Sequence, residues 1–167
     1  MITLNDFCSL VDKHFHYLVA NFGFIKMPTQ EIPTMHYCPY QKGELLVRLE
    51  YSKKNDYIDV FVYNNISKIK PGEQRQDNSV SLTTLMFGSK PGYNFEKDYK
   101  SIMPSQIPIE NSIRILAEFF LEYATDILSG KKWISWSDIT QYVRQPIEIT
   151  VHFKKKIRGE NPENDDA

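Results

Sequence analysis

Glu44 to Tyr63, ELLVRLEYSKKNDYIDVFVY, holds two runs of alternating residues separated by a polar stretch. Val47, Leu49 and Tyr51 alternate with Arg48 and Glu50, and Ile58, Val60 and Val62 alternate with Tyr57, Asp59, Phe61 and Tyr63. A period of two marks strands with two unlike faces. Lys53, Lys54, Asn55 and Asp56 between the runs are poor strand formers, and Asn and Asp accept the positive φ of a tight reversal. The stretch therefore predicts a β-hairpin. An isolated hairpin is marginal in water, so its aliphatic side requires a cover of amphipathic helices.

Two segments carry the helical period. Thr3 to Asp6 has the form of a capping box, and Phe7, Leu10, Val11, His14, Leu18 and Phe22 follow at three- and four-residue steps up to Gly23, which predicts a helix over about 4–21. The second is stronger. Ile109, Ile113, Leu116, Ala117, Phe120, Ala124, Ile127 and Leu128 line one stripe between Pro108 and Gly130, with Glu110, Glu118, Glu122 and Asp126 outside it.

Between and beyond these elements the pattern is weaker. Pro28, Pro33 and Pro39 forbid a long helix, and Thr34 to Cys38 reads as an edge strand that completes a three-stranded meander. Residues 64–80 form a loop or a ragged fourth strand, and Ser81 caps a short helix, Leu82 to Phe87, closed by Gly88. Residues 88–108 are a long irregular stretch with a Pro91-Gly92 type II turn, and a loop of this length is functional, disordered or misassigned. Its Tyr93, Phe95 and Tyr99 argue against disorder. Ser135 or Ser137 caps a short helix through Arg144. Over residues 147–157, alternation from Ile147 to Phe153 favours a strand, with a helix ending in basic residues as the alternative. The fold class expected is α+β: an antiparallel meander of three to four strands packed by an N-terminal helix and the long helix of the C-terminal half.

Length and charge bound the function. A chain of 167 residues accommodates one core, taken as residues 1–158, followed by a flexible acidic tail at 159–167. The net charge of -1 offers no field to gather nucleic acid or anionic lipid. Removing the four acids of the tail leaves 20 basic against 17 acidic residues, still a weak excess. Two cysteines are too few for a disulfide framework, and the N-terminus lacks the basic and apolar regions of a secretory signal. Ile113 to Leu128 is interrupted by charges, so no membrane span is expected; these features predict reduced thiols and a cytoplasmic setting.

No motif announces catalysis. Phosphate loops, the G-x-S-x-G elbow, H-E-x-x-H and C-x-x-C are all missing from the sequence. His36 and Cys38 share a strand face as half a metal site, while His14 and His16 point apart on a helix, so no metal or other cofactor is expected. Neither Cys8 nor Cys38 has a base or an orienting acid placed beside it by the sequence, and each reads as a small buried hydrophobe. Glu118, Glu122 and Asp126 are a solvated helix face.

Aromatic content decides more: 13% of residues are Phe, Tyr or Trp, a surplus that belongs in the core or on a contact surface. The hairpin's second face combines Leu46, Arg48, Tyr57, Phe61 and Tyr63 with Glu50 and Asp59, an interface-like composition unless helix 1 or the C-terminal segment covers it. Arg48, Tyr57, Phe61 and Tyr63, with Tyr93, Phe95 and Tyr99 of the long loop, are the expected partner-binding residues. The alternative is a nucleic-acid or small-ligand site at Lys131, Lys132, Trp133 and Trp136, against which those residues simply finish the long helix and its core.

The element order, with a helix ending in Phe22-Gly23-Phe24, a meander, a capped turn from Ser81 to Gly88 and a helix ending in Ile127-Leu128-Ser129-Gly130 before Trp133, resembles a group of small uncharacterised bacterial α+β proteins. Some members are similar to immunity proteins of contact-dependent or polymorphic toxin systems. The resemblance spans about residues 4–144 and carries over no catalytic residues. The surplus of aromatics without a catalytic cluster predicts a non-enzymatic module that contacts another protein, and the resemblance implies a toxin it neutralises as that partner.

Overall fold

The computed structural model describes residues 2–68 and 78–133. Among them the architecture is α+β, with helices packed on one face of a six-stranded antiparallel sheet. Helix α1 (Leu4–His14) starts at Thr3, whose Oγ1 accepts from the Asp6 amide at 3.1 Å and donates to the Asp6 carboxylate at 2.7 Å. The expected single helix over 4–21 is broken at Phe15–His16, beyond which lies α2 (Tyr17–Ala20). Phe7, Val11, Phe15 and Leu18 remain fully buried through the break, so the apolar stripe survives it. Gly23 leaves the helical region with φ of 72°.

The strands are β1 (Ile25–Lys26), β2 (Gln30–Ile32), β3 (Met35–Lys42), β4 (Leu45–Ser52), β5 (Tyr57–Tyr63) and β6 (Ser79–Ser81). Their order is β1-β3-β4-β5-β6, with β2 also on the outer side of β3. The hairpin of β4 and β5 pairs Val47 with Val62, Leu49 with Val60 and Tyr51 with Ile58, and its turn contains Asp56 at φ of 48°. The segment read as an edge strand is instead internal. β1 pairs with Gln41 and Tyr40, and β2 with Met35 to Tyr37, leaving Cys38 and Pro39 opposite the gap between them. Pro39 lacks an amide hydrogen and sits where the neighbouring strand is interrupted, which is how an internal strand tolerates it.

Ser81 caps α3 (Leu82–Ser89) by accepting from the Thr84 amide at 3.2 Å. Gly88 does not close this helix, which runs one residue past it. The Pro91-Gly92 turn forms as expected, with Tyr93 N donating to Lys90 O at 3.2 Å and Gly92 at φ of 70°. A π-helical turn (Phe95–Tyr99) and a 3-10 turn (Lys100–Ile102) follow. Helix α4 (Ile109–Leu128) then crosses the sheet, burying Ile113, Leu116, Ala117, Phe120, Ala124, Ile127 and Leu128 in one core with Val47, Leu49, Val60 and Val62. The long helix therefore covers the aliphatic face of the hairpin. No described helix is long and apolar enough to cross a membrane.

The short β6 pairs with only Phe61 to Tyr63, which leaves the first half of β5 without a strand neighbour on that side. The turns at 95–103 seal it. Tyr99 Oη donates to Ile58 O at 3.1 Å, Ile58 N donates to Met103 Sδ at 3.4 Å, and Val60 N donates to the Asp59 carboxylate at 2.8 Å. Buried backbone groups must find partners, and here side chains supply them. The expected short helix from Ser135 or Ser137, the strand or helix at 147–157 and the acidic tail lie outside the described residues.

Candidate functional site

The odd-numbered residues of β3 and β5 and the even-numbered residues of β4 form the sheet face opposite the helices, since strand side chains alternate. Pairing aligns them in rows: Tyr37, Glu50 and Asp59; then Pro39, Arg48, Phe61 and Ser81; then Gln41, Leu46, Tyr63 and Ser79. Among the described residues, α1 to α4 all pack on the other face.

Arg48 is the centre of this surface. Its guanidinium lies 5.0 Å from the Tyr37 ring centroid and 4.9 Å from that of Tyr63, one ring on each flanking strand. The plane is pinned by Nε donating to Glu50 Oε1 at 2.7 Å, by an ion pair from Nη2 to the same oxygen, and by Nη2 donating to Tyr63 Oη at 2.7 Å. Phe61 extends the aromatic surface, its ring centroid 6.1 Å from that of Tyr63. An arginine held between two rings presents a flat, weakly hydrated cation with its rotamers already restricted.

Beside this clamp sits a carboxyl of different character. Asp59 faces Glu50 directly across the hairpin. Burial pushes the Asp59 carboxyl up to about 7, and the Glu50 charge adds to the rise, while hydrogen bonds from Val60 N and from Tyr99 Oη at 3.1 Å oppose it. Burial, and then the charge of Asp59, raise the phenols of Tyr57 and Tyr93. The Tyr93 hydroxyl is buried and has no hydrogen-bond partner among the described residues. Asp59 is therefore a proton-exchanging group near neutral pH, set into the edge of an aromatic surface.

The partner-binding residues expected from sequence divide between surface and core. Arg48, Tyr57, Phe61 and Tyr63 share the outer face, although Tyr63 is only 8% exposed. Phe95 is exposed and stacks on Tyr99 with centroids 5.9 Å apart. Tyr99 itself is fully buried as the plug of the β5 edge, so it presents no surface to a partner. Tyr37 was missed as a member of the site, and Asp59, placed on this face by its alternation, was not singled out as a group of special character. Tyr37 lay in a segment whose period is obscured by prolines, and Asp59 resembles any solvated residue on a polar strand face.

The alternative site is less well assembled. Lys131 and Lys132 are exposed, and their backbone amides donate to Asp126 O at 2.9 and 3.3 Å to end α4. Trp133 is half-buried against the core, and Trp136 lies outside the described residues. His36 and Cys38 both turn into the core, where His36 packs against both Phe7 and Tyr51 and its Nε2 lies 3.2 Å from Ile2 O. Among the described residues no group of three or more His, Cys, Asp or Glu is placed to hold a metal ion.

Fold and surface together define an α+β domain whose antiparallel sheet carries an arginine-centred aromatic face. No family model matches the chain, and neither do any curated protein or solved structure.

Proposed function

We propose that this protein is a non-enzymatic interaction domain of the immunity type, which binds and neutralises a partner toxin in the cytoplasm. The observation that supports the reading is the Arg48 clamp. Interface centres favour tyrosine and arginine in ordered, partly desolvated positions, because such groups lose little conformational entropy on contact. Held between Tyr37 and Tyr63 and neutralised by Glu50, Arg48 is preorganised in this sense. Phe61 beside it and Phe95 beyond the sheet edge supply apolar contact area. The partner class comes from the resemblance noted above and the contact surface from the geometry.

The test is co-expression with the product of the adjacent reading frame. The reading expects that product to be toxic alone and to co-purify with this domain as a discrete complex. The combined variant Arg48→Glu, Tyr57→Ala, Phe61→Ala, checked for an unchanged circular dichroism spectrum, should lose both the complex and the protection. A folded triple variant that still binds and protects would remove this face from consideration.

A further inference from the structure

Cys8 sits on α1 and Cys38 on β3, thirty positions apart in sequence and facing each other across the helix-sheet interface. Both are buried, at 4% and 0% exposure, and their thiols lie within hydrogen-bond reach of one another. One helical turn after Cys8 comes Asp12, and two residues after Cys38 comes Tyr40, so the helical and strand periods place this second pair alongside the first. The four groups form a chain. Cys38 Sγ reaches Tyr40 Oη at 3.8 Å, Tyr40 Oη donates to Asp12 Oδ1 at 2.6 Å, and the other Asp12 oxygen is ion-paired with Lys26. The chain ends at an open cleft of ≈ 310 Å³ walled by Asp12, His16, Val19, Ala20, Lys26 and Tyr40. Tyr40 thus stands between the thiols and a solvent-connected space.

We propose that Cys8 and Cys38 are a modification site: a dithiol that closes into an intramolecular disulfide when oxidised by a hydroperoxide. This inference uses the helix-covered face and is independent of the contact surface on the other side. Electrostatics divide the roles. The hydrogen bond from Cys38 holds the Cys8 thiol below its ordinary range, with help from Lys26 and against burial and Asp12. The same bond, followed by burial, raises Cys38. Cys8, which keeps 4% exposure while Cys38 has none, is the attacking thiol, and Cys38 is the resolving thiol.

With hydrogen peroxide the atoms balance as follows. Cys8 gives up its proton and its sulfur attacks one peroxide oxygen; the O–O bond breaks, and the departing hydroxide takes up that proton as water, leaving Cys8 as a sulfenic acid. Cys38 then loses its proton while its sulfur attacks the Cys8 sulfur. The S–O bond breaks, and the departing hydroxide leaves with the Cys38 proton as a second water. Two thiols and one peroxide become one disulfide and two waters, with sulfur oxidised and peroxide oxygen reduced. The product ties α1 to the middle of the sheet, and an external dithiol reverses it.

The experiment uses the full reduced chain with one equivalent of hydrogen peroxide, in native buffer and in urea. Remaining thiols are blocked with N-ethylmaleimide in denaturant, and the products are read by intact mass and peptide mapping. The expected native product is a monomer lighter by two hydrogens that carries no maleimide, yields a linked Cys8–Cys38 peptide and recovers two maleimide adducts after dithiothreitol. Closure should be faster in native buffer than in urea. Cys38→Ser should instead accumulate a Cys8 sulfenic acid captured by dimedone, a readout that does not require disulfide geometry. The proposal is overturned if both native thiols still take maleimide, if the linkage joins separate molecules, or if closure is faster in urea.

Discussion

Asp59 offers a quantitative test of how the outer sheet face is built. Its carboxyl titrates at about 7 in the folded chain against an ordinary 3.8, principally because burial penalises the charged form. The groups facing it are Glu50 from β4, Tyr57 on its own strand, and Tyr93 and Tyr99 from the segment at the sheet edge. Because the folded pKa is raised, the contribution of this group to stability is complete below pH 3.8 and is lost as pH rises through 7. The folded state holds nearly one proton more than the unfolded state at pH 5 and about half a proton more at pH 7. At 1.36 kcal/mol per pH unit, that interval lowers stability by about 2.3 kcal/mol. Asp59→Asn preserves a carbonyl oxygen to accept from Val60 N and Tyr99 Oη but cannot ionise. Subtracting its stability from that of the wild type cancels other groups such as Glu110 and Asp98, whose lowered pKa values give the opposite slope. Urea unfolding at constant ionic strength, followed by tryptophan fluorescence at pH 5, 6, 7 and 8, should show the variant gaining about 2–3 kcal/mol on the wild type across the series, with equal m-values. Parallel stability profiles, differing by a constant offset, would refute the assignment of a desolvated carboxyl at this position.

Three further substitutions probe the elements that hold this face in place. Tyr99→Phe leaves Ile58 O and the Asp59 carboxylate without their phenolic donor, and thermal or urea unfolding should register a loss of about 1–3 kcal/mol, with the Asp59 inflection moving to higher pH. On α4, Phe120→Ala should destabilise by about 3–5 kcal/mol, whereas Leu121→Ala one position on, at 39% exposure, should cost well under half of that; equal losses would mean that α4 does not bury the face assigned to it.

The parts of the architecture legible in the sequence were those carried by period. Val47 to Val62 and Ile109 to Leu128 repeat their apolar residues often enough for face and partner to follow, and the structure packs one on the other. β1 and β2 hold two and three residues, too few for any period to appear, and the prolines beside them suggested an edge where there was a broken neighbour. The role of 95–103 was hidden for another reason. What makes it structural is the amide and carbonyl of Ile58, some forty residues earlier, which no neighbouring strand takes and which Met103 and Tyr99 bond instead, and no local pattern reports such a vacancy. Tyr99 therefore read as surplus aromatic surface, although it is core. The environment of Asp59 and the meeting of Cys8 with Cys38 are likewise products of tertiary packing, invisible until α1, β3 and the loop are in place.

The half-length β6 carries a consequence for the behaviour of the chain in quantity. An open strand edge is a template on which another molecule's strand can add, and β5 would be one along Tyr57 to Val60 without the hydroxyl, thioether and carboxylate that occupy its bonding groups. Excising or loosening 95–103 would convert a self-contained domain into one prone to intermolecular strand exchange and fibre growth, so solubility at high concentration is governed by a segment that forms no strand at all.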